Sequence, residues 1–348
     1  MSIDVTTLDE SDRDVWNRCV EQSDQTNLFH QYEALSLLVA HSGATLHPLI
    51  GYNGQEPVGI MPVFEVERGR RRIVKCPPYL LESFSLGPAL LNLAGTKRRR
   101  AERHQRQFVE GCLEYVEEDI APAETHVRLG GRFTDVRPFL WNGYEASPYY
   151  TYVVDLTPGR EAVMAEFSRD ARSNIRKTDT EDVEVYEGGV EEIRAIVEQV
   201  QDRHDEQGKE YRVYPGFVID LYEALPEGQV RPYVLEHGGE LACGMITLEY
   251  GDTIYRWEGG AKYGGDVPAA DLLDWHIMCE AMDRDVARYD LVGANMPRLC
   301  TYKAKFGPEP EVYYNIERKA PLDAFTEGAR ALAADVLDRA DDLRTRVK

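Results

Sequence analysis

The stretch VRPYVLEHGGELACGMITLEYGDTIYRWEGGA, residues 230–261, decides the architecture of this chain. Apolar residues run through three segments, 230–236, 241–249 and 253–261, and the breaks between them are Gly238-Gly239 and Gly251-Asp252. A strand turns successive side chains to opposite faces, and glycine pairs or Gly-Asp supply the unusual backbone of a tight hairpin. The stretch therefore reads as a three-stranded antiparallel meander.

Working outward, a helix is expected at 269–284 and strands at 289–293 and 312–318. Upstream lie a strand at 149–156, the turn Thr157-Pro158-Gly159, a helix from 161 to about 178, a strand at 183–186 and helices at 190–206 and 216–225. Strand, helices, antiparallel meander, helix, strand is an α+β order. The first half repeats part of it more weakly. Helices are expected at 12–22 and 32–40, a hairpin of 46–52 and 57–66 about Asn53-Gly54, a basic tip at 68–72, a strand from Ile73, a helix with a basic start at 97–118 and a strand at 125–129. The fold class is thus α+β, with two tandem units at 1–148 and 149–320, each on a mixed, mainly antiparallel central sheet. An Ala/Asp/Arg-rich helix is expected at 321–348.

The length of 348 residues suits two domains. Formal charge is −21, with 61 Asp and Glu against 31 Arg and 9 Lys. Such a surface repels itself in dilute buffer and is tolerated where salt screens it, so it reads as adaptation to a salt-rich cytoplasm and argues against general nucleic-acid binding. The first ten residues lack a signal pattern, and no apolar run approaches the ~18 residues of a membrane span, so a cytoplasmic protein without a membrane segment is expected. The six cysteines form neither Cys-x-x-Cys pairs nor Cys/His ligand spacing, which leaves no zinc site or disulfide framework and makes them reduced core residues. Gly-x-Ser-x-Gly, P-loop and His-Glu-x-x-His motifs are absent, so hydrolase, kinase and metalloprotease readings have no support.

Three stretches could carry chemistry. In the helix 161–177, Val163, Phe167, Ala171 and Ile175 fall on one side, and Arg169, Arg172 and Arg176 within a ~60° arc of another. That cationic face is either solvated and paired with the abundant acids, or a surface for phosphates or a carboxylated substrate. Arg256-Trp257-Glu258-Gly259-Gly260-Ala261 leads from a strand toward a helix. It is either a plain glycine turn or a place where backbone amides and a helix N-terminus approach phosphate oxygens. The third is Tyr289-Asp-Leu-Val-Gly-Ala-Asn295 followed by Tyr302-Lys-Ala-Lys-Phe-Gly307, in which Lys303 and Lys305 either form surface ion pairs or hold a carboxylate or oxyanion. Glu258 is a candidate base for an attacking amine. His204 and His276 lie on the apolar sides of their helices and read as structural.

Phe29-His-Gln-Tyr-Glu33, Val58-Gly-Ile-Met-Pro-Val63, Phe167-Ser-Arg169 through Arg176-Lys177, Leu241-Ala-Cys-Gly-Met245, residues 268–275 and 290–294, and Lys303-Ala-Lys-Phe-Gly307 together resemble the FemAB-like or BioF2-like branch of the GNAT (acyl-CoA N-acyltransferase) superfamily. The resemblance runs from about residue 27 to 319. It implies two packed GNAT-like units with the active cleft mainly in the second, and transfer of an acyl or aminoacyl group to an amine from a CoA thioester or an aminoacyl-tRNA. Arg256, Gly259, Gly260 and Ala261 resemble the Arg-x-x-Gly-x-Ala pyrophosphate loop and would hold acyl-CoA; Arg169, Arg172, Arg176 and Lys305 would line the cleft, with Lys303 beside them. The inserted helical hairpin of tRNA-dependent members is not evident, although aminoacyl-tRNA remains open as donor. The expectation is N-acyl transfer by direct attack in a ternary complex, with Glu258 and Lys305 catalytic, acyl-CoA as co-substrate and no metal. The alternative is an inert GNAT-like module that binds a small anionic metabolite or a protein partner. Acceptor and oligomeric state are not legible.

Overall fold

The computed structural model describes residues 3–92, 95–177, 182–260 and 267–319; Ala261 and the helix expected at 321–348 lie outside them. In chain order the first half holds β1 (Asp4–Thr7), α1 (Arg13–Glu21), α2 (Tyr32–Ser42), β2 (Thr45–Asn53), β3 (Glu56–Arg68), β4 (Arg71–Cys76), β5 (Ala89–Leu90), α3 (Arg98–Tyr115), β6 (Glu124–Leu129) and α4 (Arg137–Trp141). The second holds β7 (Glu145–Asp155), α5 (Arg160–Glu166), α6 (Arg169–Lys177), β8 (Val183–Glu187), α7 (Val190–Glu206), α8 (Pro215–Ala224), β9 (Val230–His237), β10 (Glu240–Tyr250), β11 (Thr253–Gly259), α9 (Ala269–Asp283), β12 (Arg288–Asp290), α10 (Pro297–Lys303) and β13 (Glu309–Lys319).

Strand order repeats. β1, β2, β3 and β4 pair antiparallel in sequence and β4 pairs β6 in parallel. Likewise β8, β9, β10 and β11 pair antiparallel, and β11 pairs β12 in parallel. The remaining two long strands cross over. β7 follows the first set in the chain yet pairs β12 of the second, whereas β13 follows the second set and pairs β6 of the first. Because β7 and β13 also pair with each other, from Glu145↔Glu317 to Val153↔Glu309, the two sets fuse into one mixed, mainly antiparallel sheet. This is the expected α+β class with the repeat visible in the topology.

Close packing explains the local choices. The Phe108 ring of α3 lies so near Gly51 of β2 and Gly59 of β3 that a Cβ at either position would come within 2.4 and 2.6 Å of it. One core joins the first half to the α7–α8 face of the second, and Trp257 of β11 is its keystone. The Trp257 ring meets Phe29, Phe84 and Phe217 edge-on at 6.0, 6.1 and 6.2 Å between centroids. A second core lies on the opposite face, beneath α5, α6 and α9.

One element departs from its sequence reading. The helix expected at 161–178 is two helices, α5 and α6, broken at Phe167 and Ser168. Phe167 leaves helical backbone, and its buried ring meets Trp275 and Phe306 at 5.5 and 5.2 Å. The Ser168 amide donates to the Lys305 carbonyl at 2.7 Å. Tertiary burial of one aromatic outweighs the continuation of a helix whose propensity alone is a weak constraint.

Candidate functional site

β11 and β12 pair only from Thr253↔Arg288 to Tyr255↔Asp290, because β12 is three residues long. Beyond Tyr255, β11 has β10 on one edge and no strand on the other, so the sheet splits between Arg256 and the 291–295 loop. The sequence-derived candidates distribute around this split.

On the α9 face lies a buried polar network. Asp274, 1% exposed, accepts from Arg256 Nε at 2.7 Å, from the Tyr289 hydroxyl at 2.7 Å and from the Tyr302 hydroxyl at 3.0 Å. Burial by itself would disfavour the Arg256 charge, but the adjacent Asp274 carboxylate more than offsets it, so the guanidinium stays protonated. Asp271, one helical turn earlier, accepts from Asn174 of α6 at 2.8 Å and from Lys305, whose ammonium also sits 3.9 Å from the Tyr302 ring centroid. Lys305 therefore does hold a carboxylate, and it is one of the chain's own.

The arginine face of α6 does not join it. Arg172 turns back and donates to the carbonyls of Ala165, at 2.8 Å, and Phe167, which closes the C-terminal end of α5. Arg169 and Arg176 are exposed. The residue that α6 directs to Asp271 is Asn174.

Lys303 is 6% exposed and donates to the carbonyls of Val292 and Gly293, at 2.6 and 2.8 Å. Burial, aided by the Arg256 charge, brings its pKa down to about 8. It thereby pins the loop that borders the split.

Glu258 faces the other way. A β-bulge where Arg256 and Glu258 oppose Thr247 and Ile246 re-aims the strand. As a result Arg256 meets α9, while Glu258 accepts from the Tyr211 hydroxyl in the α7–α8 connection. Burial raises the Glu258 carboxyl to about 7, opposed by that hydrogen bond. Tyr211 is stacked on His204, with centroids 4.6 Å apart, and His204 Nδ1 donates to the Val200 carbonyl at 2.9 Å, a structural role.

A cavity of about 410 Å3 lies where the halves meet. The first half contributes residues 23–27, 83–85 and 130–132, and the second 250–253, Tyr255, Arg288, Asp290, Val292, Gly293 and 311–313. None of the individual site residues named from the sequence lines it among the described residues, but Asp290, Val292 and Gly293 of the stretch 289–295 do. So do two ion pairs: Arg132–Asp252, at 2.7 Å across the halves, and Arg288–Glu311, at 2.8 Å. Asp290, at the end of β12 beside the split, forms no ion pair among the described residues, although the Arg288 charge acts on it. Its carboxylate accepts from the Thr151 hydroxyl at 2.5 Å and the Val292 amide at 2.8 Å, and burial pushes its pKa up to about 6 against those bonds. Sequence reasoning missed Asp290 as a site residue. The sequence includes it only within the stretch 289–295 and the resembling segment 290–294, with no role of its own.

The acyl-CoA grip implied by the glycine loop fits poorly in the described residues. Arg256 is engaged by Asp274. The Gly260 amide donates to the Gly244 carbonyl at 2.8 Å, and Gly259, at φ 128°, lies so close that a Cβ there would be 2.2 Å from that carbonyl oxygen. The first two turns of α9 bury Asp271 and Asp274, which hold Lys305 and Arg256 and so keep both cations from a pyrophosphate at that helix end. Among the described residues no group of three His, Cys, Asp or Glu is placed to hold a metal, and no helix is long and apolar enough to cross a membrane.

Residues 165–304, from the end of α5 to just past α10, match the family model of the acetyltransferase (GNAT) domain. No curated protein matches in sequence. The fold is similar to that of FemX, with a TM-score of 0.70 and 9% identity over 93% of this chain and 99% of FemX. It is also similar to a conserved protein of unknown function from Bacteroides thetaiotaomicron (TM-score 0.56, 13% identity, 91% of this chain and 100% of that one) and to L-PGS from Bacillus licheniformis (0.54, 10%, 93% and 97%). Residues 165–304 thus match an acetyltransferase (GNAT) domain, within a chain whose fold is similar to that of FemX over nearly its whole length.

Proposed function

We propose that this acyltransferase moves an acyl or aminoacyl group onto an amine at the split between β11 and β12, with the amine in the inter-half cavity and Asp290 as its base. The observation that carries this is the placement of Asp290: a carboxylate with pKa about 6, at the end of β12, facing a cavity of about 410 Å3. An amine must lose its proton to attack, and a base of that pKa is mostly ionised at neutral pH yet still accepts a proton. The amine nitrogen bonds to the acyl carbonyl carbon, its proton passes to Asp290, and the intermediate expels the thiolate or alkoxide of the donor. No covalent enzyme intermediate is required. Backbone amides on the open edge of β11 would polarise the carbonyl oxygen. Glu258 and Lys305 act around this point rather than in it, Glu258 through Tyr211 and Lys305 by anchoring Asp271.

The committed state of Arg256 and of the Gly260 amide favours a second reading, a GNAT-like module that binds a small ligand without turnover. One experiment separates them. Acyl-CoAs and aminoacyl esters are incubated with a panel of amines in high salt, with free thiol and N-acyl product followed by mass spectrometry. Product that disappears in Asp290→Asn supports transfer; cavity ligands that raise the melting temperature without product support the module. Thiol release from acyl-CoA, and none of the ester reactions, would restore the CoA donor.

A further inference from the structure

The first half carries a charged surface that acyl transfer leaves unused. At the start of α3, Lys97, Arg98, Arg99, Arg100, Arg103 and Arg106 are all exposed, in a chain of net charge −21. Arg98 and Arg106 pair within the helix, with Glu102 and Glu110 at 3.5 Å each, and the other four have no ion pair among the described residues. Arg137 of α4 is paired with Asp135 at 2.7 Å and also reaches the same Glu102 oxygen as Arg98, at 3.3 Å, which ties the two helices into one surface. Its guanidinium lies 5.6 Å from the centroid of the Trp141 ring. Trp141 and Leu140 are 61% and 46% exposed. An exposed indole and an exposed leucine thus stand among seven cations.

We propose that this face, the start of α3 with Leu140 and Trp141 of α4, docks on an anionic phospholipid surface. Clustered cations repel one another until an anion neutralises them. Arginines at phosphate level with an indole and a leucine in the interfacial layer satisfy both charge and apolar surface. The contact is with the surface and involves no span. RNA is the competing polyanion, but it would stack a base on Trp141, where Arg137 already covers one ring face, and it offers Leu140 nothing.

The test is co-sedimentation of the full chain with vesicles of zwitterionic phosphatidylcholine, with and without phosphatidylglycerol, over a salt series, while tryptophan emission is recorded. Trp16 and Trp257 are buried and Trp275 is half-buried against Phe167, so Trp141 is the most exposed of the four indoles, and the part of a blue shift that is lost with Trp141→Ala reports it. Binding is expected only with phosphatidylglycerol. Arg99→Ala and Arg103→Ala should each weaken it about fivefold at low salt, the effect of one basic residue near such a surface. Leu140→Ala with Trp141→Ala should abolish the shift and weaken binding at every salt concentration. Thermal melts of all variants should match the parent, since every changed residue is exposed. No sedimentation with phosphatidylglycerol vesicles at low salt overturns the proposal. So does tighter binding to a single-stranded RNA that the arginine variants lose and the Leu140/Trp141 variant keeps.

Discussion

The two halves share a strand order but not its consequences. In the first, β6 is six residues long, pairs β4 from Glu124 to Val127 and is covered on its other edge by β13 along its whole length. The corresponding crevice, at Lys75, His126 and Glu317, measures about 60 Å3. In the second, β12 is three residues long, the sheet opens after Tyr255, and the neighbouring cavity is about 410 Å3. Strand length at one position separates a closed, structural half from an open one. Electrostatics follow the same division. Buried His30 of the first half is pushed down to about 4 and is satisfied by Asn27 and the Gly87 carbonyl, so it stays neutral. Asp290, Glu258 and Lys303 of the second are brought to about 6, 7 and 8, the range in which proton transfer near neutral pH is efficient.

The largest effect that could break this comparison is on turnover. Asp290→Asn should lower kcat/KM by about 10²–10⁴ and remove an acid limb that inflects near pH 6 in the parent, measured as a pH–rate profile. His126→Asn, in the matching crevice of the first half, should leave the rate unchanged. Equal losses in both variants would dissolve the distinction between the halves.

Trp257→Ala probes how the halves are joined. Removing a ring packed against Phe29, Phe84 and Phe217 should cost about 3–5 kcal/mol, read from denaturant unfolding, with the transition remaining single. Two separated transitions would mean that the shared core does not couple them.

Arg172→Ala should cost about 1 kcal/mol of stability, since it leaves the Ala165 and Phe167 carbonyls to water, and it should spare affinity for anionic ligands. Intact stability with lost anion affinity would return α6 to the site.

The last effect is a pH dependence. The Glu258 carboxyl titrates near 7 when folded against an ordinary 4.5, so the folded chain holds a proton that the unfolded chain releases between those values. Its contribution to stability is complete below about pH 4.5 and is lost as pH rises through 7. Glu258→Gln should therefore melt a few degrees above the parent at pH 8, and the gap should close by pH 5. A gap independent of pH would show that Glu258 is ionised throughout.

The sequence by itself determined the meander, the α+β order, most helices and strands and the family resemblance, because alternation, glycine turns and helical stripes are local consequences of burying one face. Short elements without a full period, β1, β5, α4 and α10, were not legible in it. The single helix over 161–178 was misread because the break answers to Trp275 and Phe306, about 110 to 140 residues away in the chain. Charge partners were equally out of reach. Spacing shows three arginines on one face, yet only tertiary structure sends Arg172 to a helix end, Lys305 to Asp271 and Arg256 to Asp274. The exchange of β7 and β13 between the strand sets, and with it the place of Asp290 beside the split, depends on pairings between strands more than a hundred residues apart. Those pairings are decided by which edges remain open once each half has formed its meander, and no local pattern encodes that.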